Sequence, residues 1–164
     1  MSSEVELTEP IDPDVDVHVP AQRRELLRSH GAVLVVISFG GGLGAIARYG
    51  LAQWLPTPAG HFPWSTFLTN VLGCFLIGVL MVLVTEVWSA HRLVRPFLGV
   101  GVLGGFTTFS TYATEVRALL QPGTVGIAVA YLAGTLVAAL LAVVLGVWLT
   151  RAVTGSDRSP ERTA

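Results

Sequence analysis

Four long apolar runs alternate with short polar breaks along this chain: Gly31 to Leu55, Pro63 to Trp88, Val94 to Leu120 and Thr124 to Thr150. Each reaches the ~20 residues a helix needs to cross a ~30 Å hydrocarbon core. The breaks carry punctuating residues: Pro56, Pro58 and Gly60, then His91 and Arg92, then Pro122 and Gly123. Trp54, Trp64, Trp88 and Trp148 stand at run ends, where an amphipathic ring favours the membrane interface. The pattern predicts an all-α membrane protein of four transmembrane helices occupying residues 30–152. Residues 1–29, broken by Pro10, Pro13 and Pro20, are expected to form a disordered acidic tail, and residues 153–164 a second short tail. A buried soluble bundle is the alternative, and four long runs this poor in charge argue against it.

Composition supports the membrane reading. The 164 residues are about one domain's worth, 52% hydrophobic and only 13% charged, against roughly a quarter charged in globular chains. Six of the eleven acids fall in the first sixteen residues (Glu4, Glu6, Glu9, Asp12, Asp14, Asp16). Between Gly31 and Thr150 the only formal charges are Arg48, Glu86, Arg92, Arg95, Glu115 and Arg117. The net charge of −1 thus averages an acidic tail, basic flanks and a nearly uncharged body, and no nucleic-acid partner is expected. The acidic N-terminus does not read as a cleavable signal peptide. The single cysteine, Cys74, lies in an apolar run and reads as a small buried hydrophobe.

The arginines orient the spans. With four crossings both termini and the second loop share one side, which then holds Arg23, Arg24, Arg28, Arg92, Arg95, Arg151, Arg158 and Arg162. The other side holds Arg117 and, at the end of the first span, Arg48. The positive-inside rule makes both tails cytoplasmic.

Polar residues within the runs mark where chemistry is to be sought. Gly40, Gly41, Gly42 and Gly44 of the first run read as helix-packing positions. Arg48 either snorkels to the interface or faces protein or water in a functional role. In the second run Thr66 and Asn70, four apart, share one helical face, and Asn70 at mid-membrane depth needs a partner. The third run holds Gly101-Val-Leu-Gly-Gly-Phe-Thr-Thr-Phe-Ser-Thr-Tyr112. Two glycines followed by four hydroxyl residues make a poor continuous helix. A break there frees backbone groups that are tolerated only inside protein, at an ion site or along a wet cavity. Phe109 and Tyr112, three apart, can face one direction, as can Tyr131 and Thr135 of the fourth run. No nucleophile–base pair, metal-spaced cluster or phosphate loop is present, so the chain does not read as an enzyme.

These residues resemble the Fluc/CrcB fluoride channels from about Gly40 to Gly146. The resemblance rests on Gly-Gly-Leu-Gly-Ala-Ile-Ala-Arg48-Tyr49, Thr66-Phe-Leu-Thr-Asn70-Val-Leu-Gly73, Gly104-Gly-Phe-Thr-Thr-Phe-Ser-Thr-Tyr112, and Tyr131 with Thr135. It implies an antiparallel dimer of two four-helix subunits that exports fluoride passively through two interfacial pores and lowers fluoride toxicity. Phe109 and Tyr112 then take the positions of pore-lining aromatics, whose electropositive ring edges suit an anion. Thr66 and Asn70 supply donors from the second helix, Ser110, Thr111 and Thr135 extend a polar track, and Tyr131 lines the pore. Carbonyls of Gly104 and Thr107 from both subunits hold a central structural sodium ion. Arg48 matches the family's first-helix arginine, and Glu115 its acid just after the break, at a vestibule. Tyr112 departs from the pattern, since the family usually has Phe there; its phenol adds a donor or narrows the pore.

Four readings stay open on the sequence. Dual-topology homodimers carry little charge bias, whereas the arginines here favour one side by eight to two. The expectation is therefore a fixed-topology subunit pairing with an oppositely oriented homologue in a prokaryotic plasma membrane; a dual-topology homodimer is the alternative. A small multidrug-type transporter would need an acid in its first span, and Gly31 to Leu55 has none. A membrane scaffold whose polar spans only hold a partner is the remaining rival.

Overall fold

The computed structural model describes residues 20–88 and 92–155, with side chains from residue 31 onward. All regular structure among them is helical. Helix α1 spans Pro20–Trp54 and α2 Trp64–Val82, the latter extended by a wider π-helical turn, Leu83–Val87. Next comes α3, which winds as a π-helix over Pro96–Leu103 and closes with one α turn, Gly104–Phe106. Helices α4, Phe109–Leu119, and α5, Val125–Thr154, complete the set. Residues 1–19 of the expected acidic tail and 156–164 of the C-terminal tail lie outside the described residues. Contacts divide the chain into Met1–Ala32 and Val33–Ala164. Of the first unit the described part is the start of α1. It begins at Pro20, inside the stretch expected to be tail, where proline at a first helical position and the helix formers after it permit a helix.

Among the described residues three helices are long and apolar enough to cross a membrane: Gly31–Trp54, Trp64–Val87 and Val125–Thr154. The third apolar run is instead discontinuous, divided between α3 and α4. The interruption falls at Thr107 (ψ 157°) and Thr108 (φ −149°, ψ 123°), both extended. Thr108 caps α4, its hydroxyl accepting the Thr111 N–H at 3.2 Å. The adjacent glycines, where the composition made a break plausible, remain helical.

Gly105 serves close approach, with Gly40 and Gly44 of α1. A methyl group on Gly105 would overlap the Gly41 carbonyl, and one on Gly44 the Val102 carbonyl. Farther along, a methyl on Gly40 would sit 2.6 Å from the Phe97 carbonyl oxygen. The small residues of α1 and α3 thus bring two backbones together, as the packing reading expected. Gly78 and Gly146 do the same between α2 and α5: a methyl on Gly78 would stand 2.5 Å from the Val143 carbonyl oxygen. A compact cluster of Val116, Leu119, Ala128 and Tyr131, with Phe62 and Phe67 against it, ties α4 to α5. Leu140, Leu141, Val144 and Leu145 of α5 point outward, as they do where the surrounding solvent is lipid.

Candidate functional site

The break is held open by one side chain. Asn70 Nδ2 donates to the Thr108 carbonyl at 3.0 Å, and Asn70 Oδ1 accepts from the Thr108 N–H at 2.9 Å. A primary amide has two N–H donors, so one stays uncommitted by this pair. The exchange redistributes the backbone around the break. In a continuous helix the Gly104 carbonyl would take the Thr108 N–H, and the Thr107 carbonyl the Thr111 N–H. Those donors go instead to Asn70 and to the Thr108 hydroxyl. Gly105 finds a side-chain donor, Arg48 Nε at 3.3 Å. Gly104 and Thr107 therefore lose their helical partners, and Gly104 faces open space. Among the described residues no group of three His, Cys, Asp or Glu gathers to hold a metal ion, so carbonyl oxygens are the donors at hand.

A second polar group lies between α2, α4 and α5. Glu115 accepts from the Thr66 hydroxyl at 2.9 Å and from the Tyr131 hydroxyl at 2.7 Å, one bond to each carboxylate oxygen. Tyr131, expected along a pore, is 0% exposed within the single subunit. Its ring is enclosed by Phe62 and Tyr112, with centroids 5.2 and 5.1 Å away. Thr66 also commits its proton to the carboxylate. A small pocket of about 180 Å³ beside this group is rimmed by Arg48, Ser65, Thr66, Thr69, Thr108 and Thr111.

The aromatic pair stands at the mouth of a larger cavity. Phe109, the first residue of α4, is 79% exposed, and its ring centroid lies 5.9 Å from that of Tyr112. The Tyr112 phenol donates to the Leu132 carbonyl at 2.7 Å, so its proton is spent on α5. Both rings line a mostly apolar cavity of about 360 Å³ that Asn70, Cys74, Thr107 and Thr135 also border. The Thr135 hydroxyl is buried and has no hydrogen-bond partner in the structure. Ser110 is exposed at the start of α4, its hydroxyl 3.3 Å from that of Thr108.

The structure thus brings Asn70, Thr107, Phe109, Tyr112 and Thr135 to one cavity, and Arg48, Thr66 and Thr111 to the smaller pocket. Glu115 and Tyr131 are joined behind them. Sequence reasoning missed Thr108, on which the break turns. A threonine immediately before an amphipathic segment is an N-cap signal that would have found it. It also missed the Glu86–Arg151 ion pair, 2.6 Å long, which joins the far ends of α2 and α5.

Comparison with known proteins bears on this arrangement. The family model described as CrcB-like protein, Camphor Resistance (CrcB), matches residues 35–147. A Nocardia farcinica protein named fluoride-specific ion channel FluC 2 is 63% identical over 127 residues, 77% of this chain and 91% of its own length. Fluoride-specific ion channel FluC 1 of Streptomyces coelicolor is 54% identical over 137 residues, 84% of this chain and 89% of its own. The corresponding FluC of Thermus thermophilus is 47% identical over 122 residues, 74% of this chain and 95% of its own.

Proposed function

This chain belongs to the Fluc/CrcB family, and from that premise we propose that it is a subunit of a fluoride-selective channel that lets fluoride leave the cytoplasm passively. The family is one of ion channels, so the chain is a multi-pass membrane protein and not an enzyme. The observation that carries the reading is the Asn70–Thr108 clamp, which holds an interrupted helix open beside two aromatic rings. Fluoride is small and strongly hydrated, and a filter for it replaces water by hydroxyl and amide donors and not by a fixed positive charge. Phe109 and Tyr112 form the aromatic wall, Asn70 and Thr135 offer donors along it, and Ser110 and Thr111 continue the track toward Arg48. Glu115, Thr66 and Tyr131 spend their hydrogen bonds on one another; we assign them to holding α2, α4 and α5 in register behind the pathway.

The carbonyls of Gly104 and Thr107 suit a sodium ion. Both have lost their helical donors, both belong to an oxygen-only set, and Gly104 opens to space where a second subunit can approach. A hard monovalent cation there would neutralise freed carbonyl dipoles that hydrocarbon cannot solvate. Asn70 and Thr108 keep those carbonyls out of helical bonding.

The chain crosses a prokaryotic plasma membrane four times, α3 and α4 together making the third crossing, with both termini in the cytoplasm. It pairs antiparallel with an oppositely oriented homologue. The eight-to-two arginine bias supports this over a dual-topology homodimer. Fluoride efflux from liposomes, with the chain alone and with a candidate partner, tests the whole reading. Efflux only with the partner is the expected result. Efflux with the chain alone would favour the homodimer, and no efflux in any pairing would overturn the channel.

A further inference from the structure

Near its C-terminal end α5 carries two neighbouring rows of side chains spaced four apart: Val143, Val147 and Arg151 in one, Val144, Trp148 and Ala152 in the other. Rows at this spacing form ridges on a helix, and the space between two of them is a groove. Among the described residues these six border a groove of about 480 Å³, which runs about 14 Å along the helix at the usual rise per residue. Its walls are stiff. A helical valine keeps one χ1 rotamer most of the time, so an occupant has little left to order. The groove is no route for fluoride: five of its six borders are apolar, and a strongly hydrated ion finds nothing there to replace its water.

The one charged border, Arg151, stands at the end of the groove. It follows Trp148, whose ring is 64% exposed at a span end, where amphipathic rings meet headgroups. A lone arginine there would sample many rotamers, and Glu86 restrains it. The Glu86 carboxylate accepts from Arg151 Nε at 3.1 and 3.2 Å and from Nη2 at 2.6 Å. It is the deeper partner, its side chain 18% exposed against 51% for the arginine. The guanidinium is thus held from the protein side and presented outward. Charge around the pair is positive: Arg92 and Arg95, both exposed, follow Glu86 in the chain, and no other acid lies between Gly31 and Arg95.

We propose that this groove binds an anionic phospholipid, one acyl chain lying between the two ridges and the phosphate received by Arg151. A guanidinium suits a phosphate because its planar fork matches two phosphate oxygens. The basic margin favours a negative headgroup over a zwitterionic one, and the cytoplasmic leaflet is where anionic lipids concentrate. The orientation given above puts Arg151 in that leaflet. Glu86 acts by aiming the arginine and does not touch the lipid. The site stands apart from the fluoride pathway and requires only that the chain spans a membrane.

The test uses the full chain in a neutral detergent, in whichever assembly it forms, with native mass spectrometry to count bound lipid and thermal unfolding alongside. Phosphatidylglycerol is expected to bind and to raise the unfolding temperature. Phosphatidylcholine should bind more weakly, and glycerophosphate, an anion without chains, should do neither. Arg151→Gln should weaken phosphatidylglycerol binding about fivefold and leave phosphatidylcholine binding as it was. Val147→Phe fills the groove and should weaken both lipids; should it fail to fold, Val144→Phe supplies the same block. Glu86→Gln removes the ion pair, keeps the arginine and should retain the preference for phosphatidylglycerol. Equal loss in Glu86→Gln and Arg151→Gln would reduce the arginine to a strap between α2 and α5 and overturn the site. Equal binding of the two lipids by the wild type would also overturn it. So would a shift from dimer to monomer in Val147→Phe with no lipid on the wild type, which would make a second subunit the occupant. A chain that conducts no fluoride in any pairing removes the channel reading and leaves the lipid result standing.

Discussion

Asn70 and Thr108, 38 residues apart, exchange two hydrogen bonds across the helix interruption: amide to carbonyl at 3.0 Å and N–H to amide oxygen at 2.9 Å. The pair mimics a backbone ladder with a side chain. It gives the Thr108 N–H a partner in place of the helical one, and so allows the chain to stop being helical there.

Asn70→Ala should therefore cost more than a polar contact on a surface. The Thr108 N–H loses its partner and the Thr108 carbonyl one of its donors, and leaving a buried donor unsatisfied costs about 1–3 kcal/mol. The expected outcome is a lower unfolding temperature in detergent together with loss of fluoride efflux. Asn70→Asp should be as severe, since a carboxylate cannot donate to the Thr108 carbonyl. An unfolding temperature equal to wild type in both variants would count against the clamp.

The two adjacent glycines of α3 should respond in opposite ways. A methyl on Gly105 overlaps the Gly41 carbonyl, while one on Gly104 meets nothing within the subunit. Gly105→Ala should yield little folded protein by size-exclusion chromatography. Gly104→Ala should leave the subunit folded and weaken pairing with a second one, read as a shift from dimer to monomer.

Removal of either donor to Glu115 should destabilise the subunit. Tyr131→Phe strips one carboxylate oxygen of its bond, and Thr66→Val strips the other. Losses of about 1–3 kcal/mol are expected for each. The double variant should lose less than the sum, because the two donors share one acceptor. Strict additivity in thermal unfolding would separate them.

At the opposite end of α2 and α5 the expected effect is small. Glu86 and Arg151 form a two-pronged ion pair with side chains 18% and 51% exposed. Exposed pairs contribute about 0–1 kcal/mol after screening by solvent and salt. Glu86→Gln should leave efflux unchanged and lower stability slightly, less so as salt rises.

Replacing sodium addresses the freed carbonyls of Gly104 and Thr107. With every sodium salt exchanged for an organic cation too large to enter, the dimer should dissociate more readily in detergent and efflux should fall. Restoring sodium should reverse both. Indifference of the dimer to the exchange would exclude a structural cation at these carbonyls.

Hydrophobic run length and arginine distribution decide early that this chain is a helical membrane protein, because in hydrocarbon a backbone must satisfy itself and few structures can. The stretch from Gly101 to Tyr112 marks the segment in which α3 gives way to α4, since glycine and hydroxyl residues weaken a helix locally. Where within that segment the helix stops is another matter. Gly101 and Gly105 stay helical where α1 packs against them, and the interruption moves on to Thr107 and Thr108, where Asn70 offers a replacement partner. Tyr131 turned inward to Glu115, and Tyr112 bonded to Leu132, for the same kind of reason. Local sequence sets which groups need hydrogen bonds; only the packed helices decide which distant group comes close enough to make them.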